Sequence, residues 1–410
     1  MNSSSPILIN DLIMEILSRV PSKSVARFRC VSKLWTSMLS SPYFKKLFLI
    51  RSSAKPRLLF AILDEDEEGG VWRIFTLPQL ENPYEESTSV AAAEFHVKFS
   101  PNYIDIYHDH DHDAMRRNFS CGYAAGLFYI HGTLPYQGRP MICNPITGRY
   151  AILPYLYYYS MTPIFFGFDP IEKQYKALAT NPFRPARHKF QTIGAGDMTW
   201  REVKCSLPHD THHSKEICID GVLYYLGDRI NFIDDHVVTS EFMIVCFDLR
   251  SERFTFIGVE WVGELINYKG KLAMICLGDE YHAMDELHMW VLDDVEKHEW
   301  SKYVYTFTDD LLFRGYFCVV GATTSGEVVF SSILNYKPKQ EPFYVFYFNP
   351  ERNTLRRVEI KGLGEAVENS CTVFTFVNHV EDLDVNELLK SVHPPLTKPE
   401  YVEESGSESD

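Results

Sequence analysis

The stretch IVCFDLRSERFTFI, residues 244–257, reads as an apolar run, a polar turn built on Asp248, and a second run in which apolar and polar residues alternate. Runs of Val, Ile and Phe on either side of an Asp- and Ser-containing break are the pattern of an antiparallel hairpin. The same arrangement recurs in MICNPITGRYAIL (141–153), IGAGDMTWREV (193–203), WVLDDVEKHEWSKY (290–303) and FYFNPERNTLRRVEI (346–360). With Asn144, Gly196, Asp248, Asp293 and Asn349 as turn anchors, the steps are 52, 52, 45 and 56 residues. A period of about 50 residues is that of a kelch-type propeller blade.

A second turn-and-strand signal precedes most of these hairpins, in AAGLFYIHG (124–132), IDGVLYYLG (219–227), YKGKLAMICL (268–277) and TSGEVVFSS (324–332). These would supply the inner strands, which makes four strands per unit the natural count. A first unit, RLLFAIL (57–63), VWRIFTL (71–77) and EFHVKF (94–99), comes before them. The orphan strand TVFTFV (372–377) would close the ring against it. The sequence thus predicts a kelch-like β-propeller of about six blades over residues 55–390; an irregular stack of β-sheets is the alternative that so degenerate a repeat leaves open.

Residues 1–54 follow a different period. Leu12, Ile13, Ile16, Leu17 and Val20 make a helical stripe behind Asn10 or Asp11 as cap, and Val31, Leu34, Trp35, Met38 and Leu39 make a second. Pro21 with Ser22, and Ser41 with Pro42, supply breaks and new caps, so the reading is three or four short helices. The fold class is therefore mainly β with a small α N-terminal module. Helices this short cannot cover all of their own apolar residues, so the module is expected to dock on a partner; packing against the β domain is the competing expectation. The tail at 391–410, ending EYVEESGSESD, is acidic without apolar periodicity and is expected to be disordered.

A formal charge of −15 and an isoelectric point near 5.5 argue against nucleic acid, whose phosphates call for clustered Lys and Arg. No window approaches a membrane span of about 20 apolar residues, and the N-terminus lacks the basic segment and long apolar run of a signal peptide. The nine cysteines are scattered and never spaced CxxC, which reads as reduced core thiols in the cytoplasm or nucleus. In that setting the sequon at Asn118 is a chance match.

Patterns that carry chemistry are scarce. GAGDMT, residues 194–199, has two glycines at a hairpin tip and reads as a turn rather than a nucleotide loop. His108 to Asp113 alternates six metal-capable side chains, but consecutive residues on a polar loop diverge, so the segment reads as a solvated insertion; His212 and His213 read the same way. No metal and no cofactor are expected. A propeller enzyme with inward carboxylates at its blade loops is the alternative from another class.

The segment LINDLIMEILSRVPSKSVARFRCVSKLWTSMLSSPYF, residues 8–44, resembles an F-box, the docking module of SCF ubiquitin ligases. The resemblance implies adaptor-binding roles for Leu8, Leu12, Ile16, Pro21, Val25, Cys30, Val31 and Trp35. One departure is Leu8-Ile9 where the family usually has Leu-Pro, which removes a rigid turn before the first helix. Phrases such as SCGYAAGLFYIHG, FFGFDPIEKQYK and FYVFYFNPERNTL resemble the plant F-box-associated domain. The family implies a Skp-type adaptor and, through it, a cullin scaffold as partners, and a role in recruiting an unknown protein substrate for ubiquitination. An adaptor-bound scaffold that transfers no ubiquitin is the second reading.

Overall fold

Four helices open the chain in the computed structural model: α1 (Pro6–Leu17), α2 (Ser22–Arg29), α3 (Lys33–Leu39) and α4 (Pro42–Ser53). The structure describes residues 6–64, 71–79, 90–99, 119–132, 140–154, 163–180, 186–194, 198–211, 215–233, 236–277, 286–307, 317–332, 342–363 and 371–391. The segment His108 to Asp113, the His212–His213 pair, Asn118, the anchor Gly196 and the tail beyond 391 lie outside these residues.

Helix α1 begins earlier than its expected cap. Asn10 and Asp11 lie within it, and Pro6 is its first residue, where a fixed φ is already helical and no N–H is missed. The chain that departs from the usual Leu-Pro therefore still carries a proline at this helix start. Ser32 and Ser41 cap α3 and α4, accepting from the backbone N–H of Trp35 and Phe44 at 3.2 Å each. Helix α2 has Pro21 at its cap position and no cap of its own, Ser22 being already helical.

From Arg57 onward the described strands form six sheets. Blade 1 runs, from the axis outward, Cys371–His379, Arg57–Asp64, Val71–Pro78 and Glu94–Phe99, so the C-terminal strand closes the ring by pairing antiparallel with the first. Blade 2 comprises Phe119–Ala124, Leu127–Gly132, Met141–Cys143 and Tyr150–Ile152; blade 3 comprises Ile164–Asp169, Gln174–Ala179, Arg187–Ile193 and Arg201–Lys204. Blade 4 has Ile217–Ile219 and His209–Thr211 along the same second strand, Val222–Ile233, followed by His236–Asp248 and Arg253–Gly258. Blade 5 is Glu264–Tyr268, Lys271–Leu277, Glu286–Asp294 and Glu299–Thr306. Blade 6 is Phe317–Ala322, Val328–Ser332, Phe343–Asn349 and Thr354–Lys361, and Val90–Ala92 adds a parallel strand to its outer edge.

The repeat has a chemical cause. Asn144, Asp169, Asp248, Asp294 and Asn349 each accept, through Oδ1, the backbone N–H groups two and three residues on. Four residues after each lies a position with φ between +51° and +67°: Gly148, Lys173, Glu252, His298 and Asn353. An Asx side chain that closes the turn, followed by one left-handed residue, is what returns the strand. Two anchors therefore shift from the sequence reading. In blade 5 the side chain that caps the turn is Asp294, because Asp293 faces outward to Lys271 and Ser301. In blade 3 the Asx turn is Asp169, between the first and second strands.

The short turns share one face of the ring, and the connections from second to third strands leave the opposite face. On the short-turn face the chain leaves the closing strand at His379 and continues through Leu383 into α5 (Val385–Ser391), a helix absent from the sequence reading. Asn386 Oδ1 accepts from Thr147 Oγ1 at 3.0 Å, while Val385 and Leu389 join the blade 2 and 3 core with Leu127, Ile142 and Ala177.

Buried histidines give the fold a pH dependence. Burial lowers His131 from the usual 6.5 to about 4 and His379 to about 3, so both are neutral when folded. The unfolded chain binds those protons below about 6.5, hence stability is intact at neutral pH and falls as pH drops toward the folded values. Glu216, which burial pushes up to about 7, works in the opposite sense and cancels the share of one histidine. His96 and His188 are lowered in the same way, so the histidines outnumber Glu216 and the net expectation is a loss of stability as pH falls below the usual histidine value. Melting temperatures measured between neutral and mildly acid pH should fall steadily, and a flat profile would contradict these buried neutral rings.

Candidate docking site

The helical module has its own core, in which Leu17, Val25, Leu39, Phe44 and Phe48 are buried together with Leu383 of the strap that precedes α5. Phe28 and Trp35 pack beside it with ring centroids 5.6 Å apart. The ion pair of Glu15 with Arg51 ties α1 to α4, and the local hydrogen bond from Arg19 leads in holding the Glu15 carboxyl below its ordinary range.

The strap fixes this module on the propeller. Glu381 Oε2 accepts the backbone N–H of Ser22 at 2.8 Å, so the cap that α2 lacks is supplied by the other domain. The Glu381 N–H donates in turn to Ser52 Oγ at 2.8 Å. Lys45 bridges Asp384 at 2.7 Å and Glu387 at 2.5 Å; burial opposes its charge, but the hydrogen bonds it donates to both carboxylates outweigh that and hold its pKa above the ordinary lysine value. The helices thus do pack on the β domain, through their inner face only.

The outer face remains. Leu12 is 58% exposed, Ile16 62%, Val31 63% and Leu34 60%. Leu12 and Ile16, one helical turn apart, share a side of α1 while Ile13 and Leu17 turn inward. Val31 and Leu34 flank the start of α3. Such large apolar side chains left uncovered in pairs mark a surface built for a partner.

Against the eight residues implied by the resemblance, the structure exposes Leu12, Ile16, Pro21, Cys30 and Val31. Leu8 belongs to α1 by its backbone. Val25 has no exposed surface and belongs to the module's own core, so it supports the docking face from behind; Trp35 is half-buried against Phe28. Leu34, which belongs to the helical stripe but not to those eight, joins them on this face. Cys30 departs from the core-thiol reading: it is exposed at the end of α2, whereas Cys143, Cys205, Cys246 and Cys371 are buried.

Two family models match this chain, an F-box domain over residues 7–47 and an F-box associated β-propeller domain over residues 57–380. The chain belongs to the F-box family with an associated propeller. Similar proteins include an F-box protein of Arabidopsis thaliana, 56% identical over 440 residues and covering 100% of both chains. A putative F-box protein of the same plant is 58% identical over 416 residues, with 99% of this chain and 98% of that one covered. Among solved structures, a luciferin-regenerating enzyme superposes on 63% of this F-box protein and 91% of its own chain with a TM-score of 0.39 at 7% identity, a likeness too low to bear on function.

Proposed function

We propose that this F-box protein is the substrate-recognition subunit of an SCF-type ubiquitin ligase, acting in the cytoplasm or nucleus. Its F-box docks on a Skp-type adaptor and through it on a cullin scaffold. The observation that carries this reading is the division of the helical module into an inner face sealed on the propeller and an outer face bearing Leu12, Ile16, Val31 and Leu34.

The mechanism is proximity. Ser22, Lys45 and Ser52 hold the module to the strap at several points, so the docked adaptor and the propeller keep one relative orientation. A protein target held on the face opposite the F-box then meets a ubiquitin-charged enzyme at high effective concentration, with no acid, base or nucleophile required of this chain.

Reconstitution of the full chain with a plant Skp-type adaptor and a cullin–RING module tests this directly. A stoichiometric complex that recruits the cullin and transfers ubiquitin is the expected result. Failure to bind adaptor would overturn the docking assignment, and adaptor binding without cullin would replace it with the scaffold reading.

A further inference from the structure

At the seam between blades 3 and 4, away from the F-box, three side chains converge that the docking role does not use. His188 comes from the third strand of blade 3, Cys205 follows its outer strand, and His209 opens the short strand that pairs with Val222–Ile233. They are 0%, 5% and 2% exposed, and their donor atoms all lie within 4.8 Å of one another.

We propose that His188, Cys205 and His209 form a structural site for a thiophilic divalent ion of the zinc class, which cross-links blade 3 to blade 4.

The geometry supports a tetrahedral ion. Bonds of about 2.0 Å to imidazole nitrogen and about 2.3 Å to sulfur place the two donors about 3.5 Å apart. Cys205 Sγ and His209 Nδ1 are 3.7 Å apart. The backbone carbonyl of Leu207 lies 3.2 Å from Cys205 Sγ and 2.9 Å from His209 Nδ1, in reach of the fourth position. His209 Nε2 stands 2.9 Å from Tyr225 Oη; a proton there would fix the tautomer that leaves Nδ1 free, the usual outer support of a ligating imidazole.

His188 is the independent pointer. Both of its ring nitrogens are fully buried with no hydrogen-bond partner among the described residues, while the ring packs against His209 at 5.0 Å and Phe254 at 5.2 Å. A protein does not ordinarily enclose an imidazole with neither nitrogen satisfied. An ion supplies what one of those nitrogens lacks.

Protonation fits as well. A neutral imidazole gives a lone pair to the ion, and at Cys205 the S–H bond is replaced by an S–metal bond with the thiol proton released to solvent. No electron changes hands. A soft thiolate beside two imidazoles selects zinc over magnesium or calcium, which take oxygen donors.

The test uses the untagged full chain co-purified with its adaptor. Mass spectrometry of metals should find one zinc per chain, and chelator should lower the melting temperature by several degrees. Cobalt exchanged into the chelated protein should give tetrahedral ligand-field bands with a thiolate charge-transfer band. Cys205→Ser should lose the charge-transfer band. His188→Phe should lower zinc affinity at least tenfold, whereas His212→Ser with His213→Ser should change neither. Should the ligand variants fail to fold, the cobalt spectrum of the wild-type chain decides alone. Zinc below a tenth of an equivalent after loading, cobalt without a thiolate band, or zinc lost with His212 and His213 would each overturn the site.

Discussion

Deleting residues 371–379 is expected to abolish the folded propeller rather than loosen one blade. This strand pairs with Arg57–Asp64 from Asp64↔Cys371 to Arg57↔His379, and its loss would uncover an edge whose residues Leu58 to Leu63 are all buried. It also carries the side chains that join neighbouring blades. Cys371 and Val373 sit in the core shared with blade 6, and Phe374 stacks on Trp72 at 5.7 Å. Phe376 meets Tyr123 and Phe128 of blade 2 at 5.3 Å and 5.2 Å. Fully burying a Val or Phe side chain is worth about 1.5–3 kcal/mol, so buried Val373 with partly buried Phe374 and Phe376 accounts for roughly 5 kcal/mol. That is comparable with the whole stability of a domain, about 5–15 kcal/mol. Val373→Asp, which keeps the chain length and puts an unpaired carboxylate in the same core, should act in the same direction with a smaller effect. Thermal melting and limited proteolysis check both; a cooperative transition within a few degrees of the intact protein would refute closure by this strand.

What the sequence makes legible here depends on the range of the interaction. The blade repeat is readable because each turn is closed locally, by an Asx side chain on the next two or three N–H groups, and so leaves the same marks every time. Asp293 against Asp294 shows the limit. Adjacent identical residues cannot be told apart until strand register says which one points into the turn. Helix α5 was readable in principle, since Val385, Leu388 and Leu389 recur at helical intervals. A strand-rich background on one side and an acidic tail on the other mask the period of so short a segment.

The seam site was less visible for a different reason. Cys205 and His209 are four residues apart, but His188 reaches them only through the pairing of two strands, and nothing in the linear text joins the three. The eye instead goes to His108–Asp113, where ligand types are adjacent in sequence. The helical module lies between these extremes. Its periodicity identifies the apolar residues correctly, yet period alone does not say which turn inward, and that choice rests on Leu383, more than 300 residues away.

The inward and outward sets define the sharper mutational test. Leu12→Asp with Ile16→Asp changes two exposed side chains and leaves the Leu17, Val25, Leu39, Phe44, Phe48 core intact. Truncating a central apolar anchor costs about 2 kcal/mol or more, so the pair should cost about 4 kcal/mol, or about a thousandfold in adaptor affinity. Placing carboxylates there raises the penalty, because each must be desolvated on docking. Trp35 is a poorer probe than its half-exposure suggests. Its ring packs on Phe28, so Trp35→Ala would remove internal packing together with any contact to adaptor. Val25→Asp serves as the contrasting variant: a carboxylate at a position with no exposed surface should unfold the module itself. Calorimetric titration of adaptor, with melting of each variant alongside, separates the two effects. The docking face stands if the Leu12 and Ile16 variant keeps its melting temperature and loses adaptor, and falls if that variant binds as tightly as the native chain.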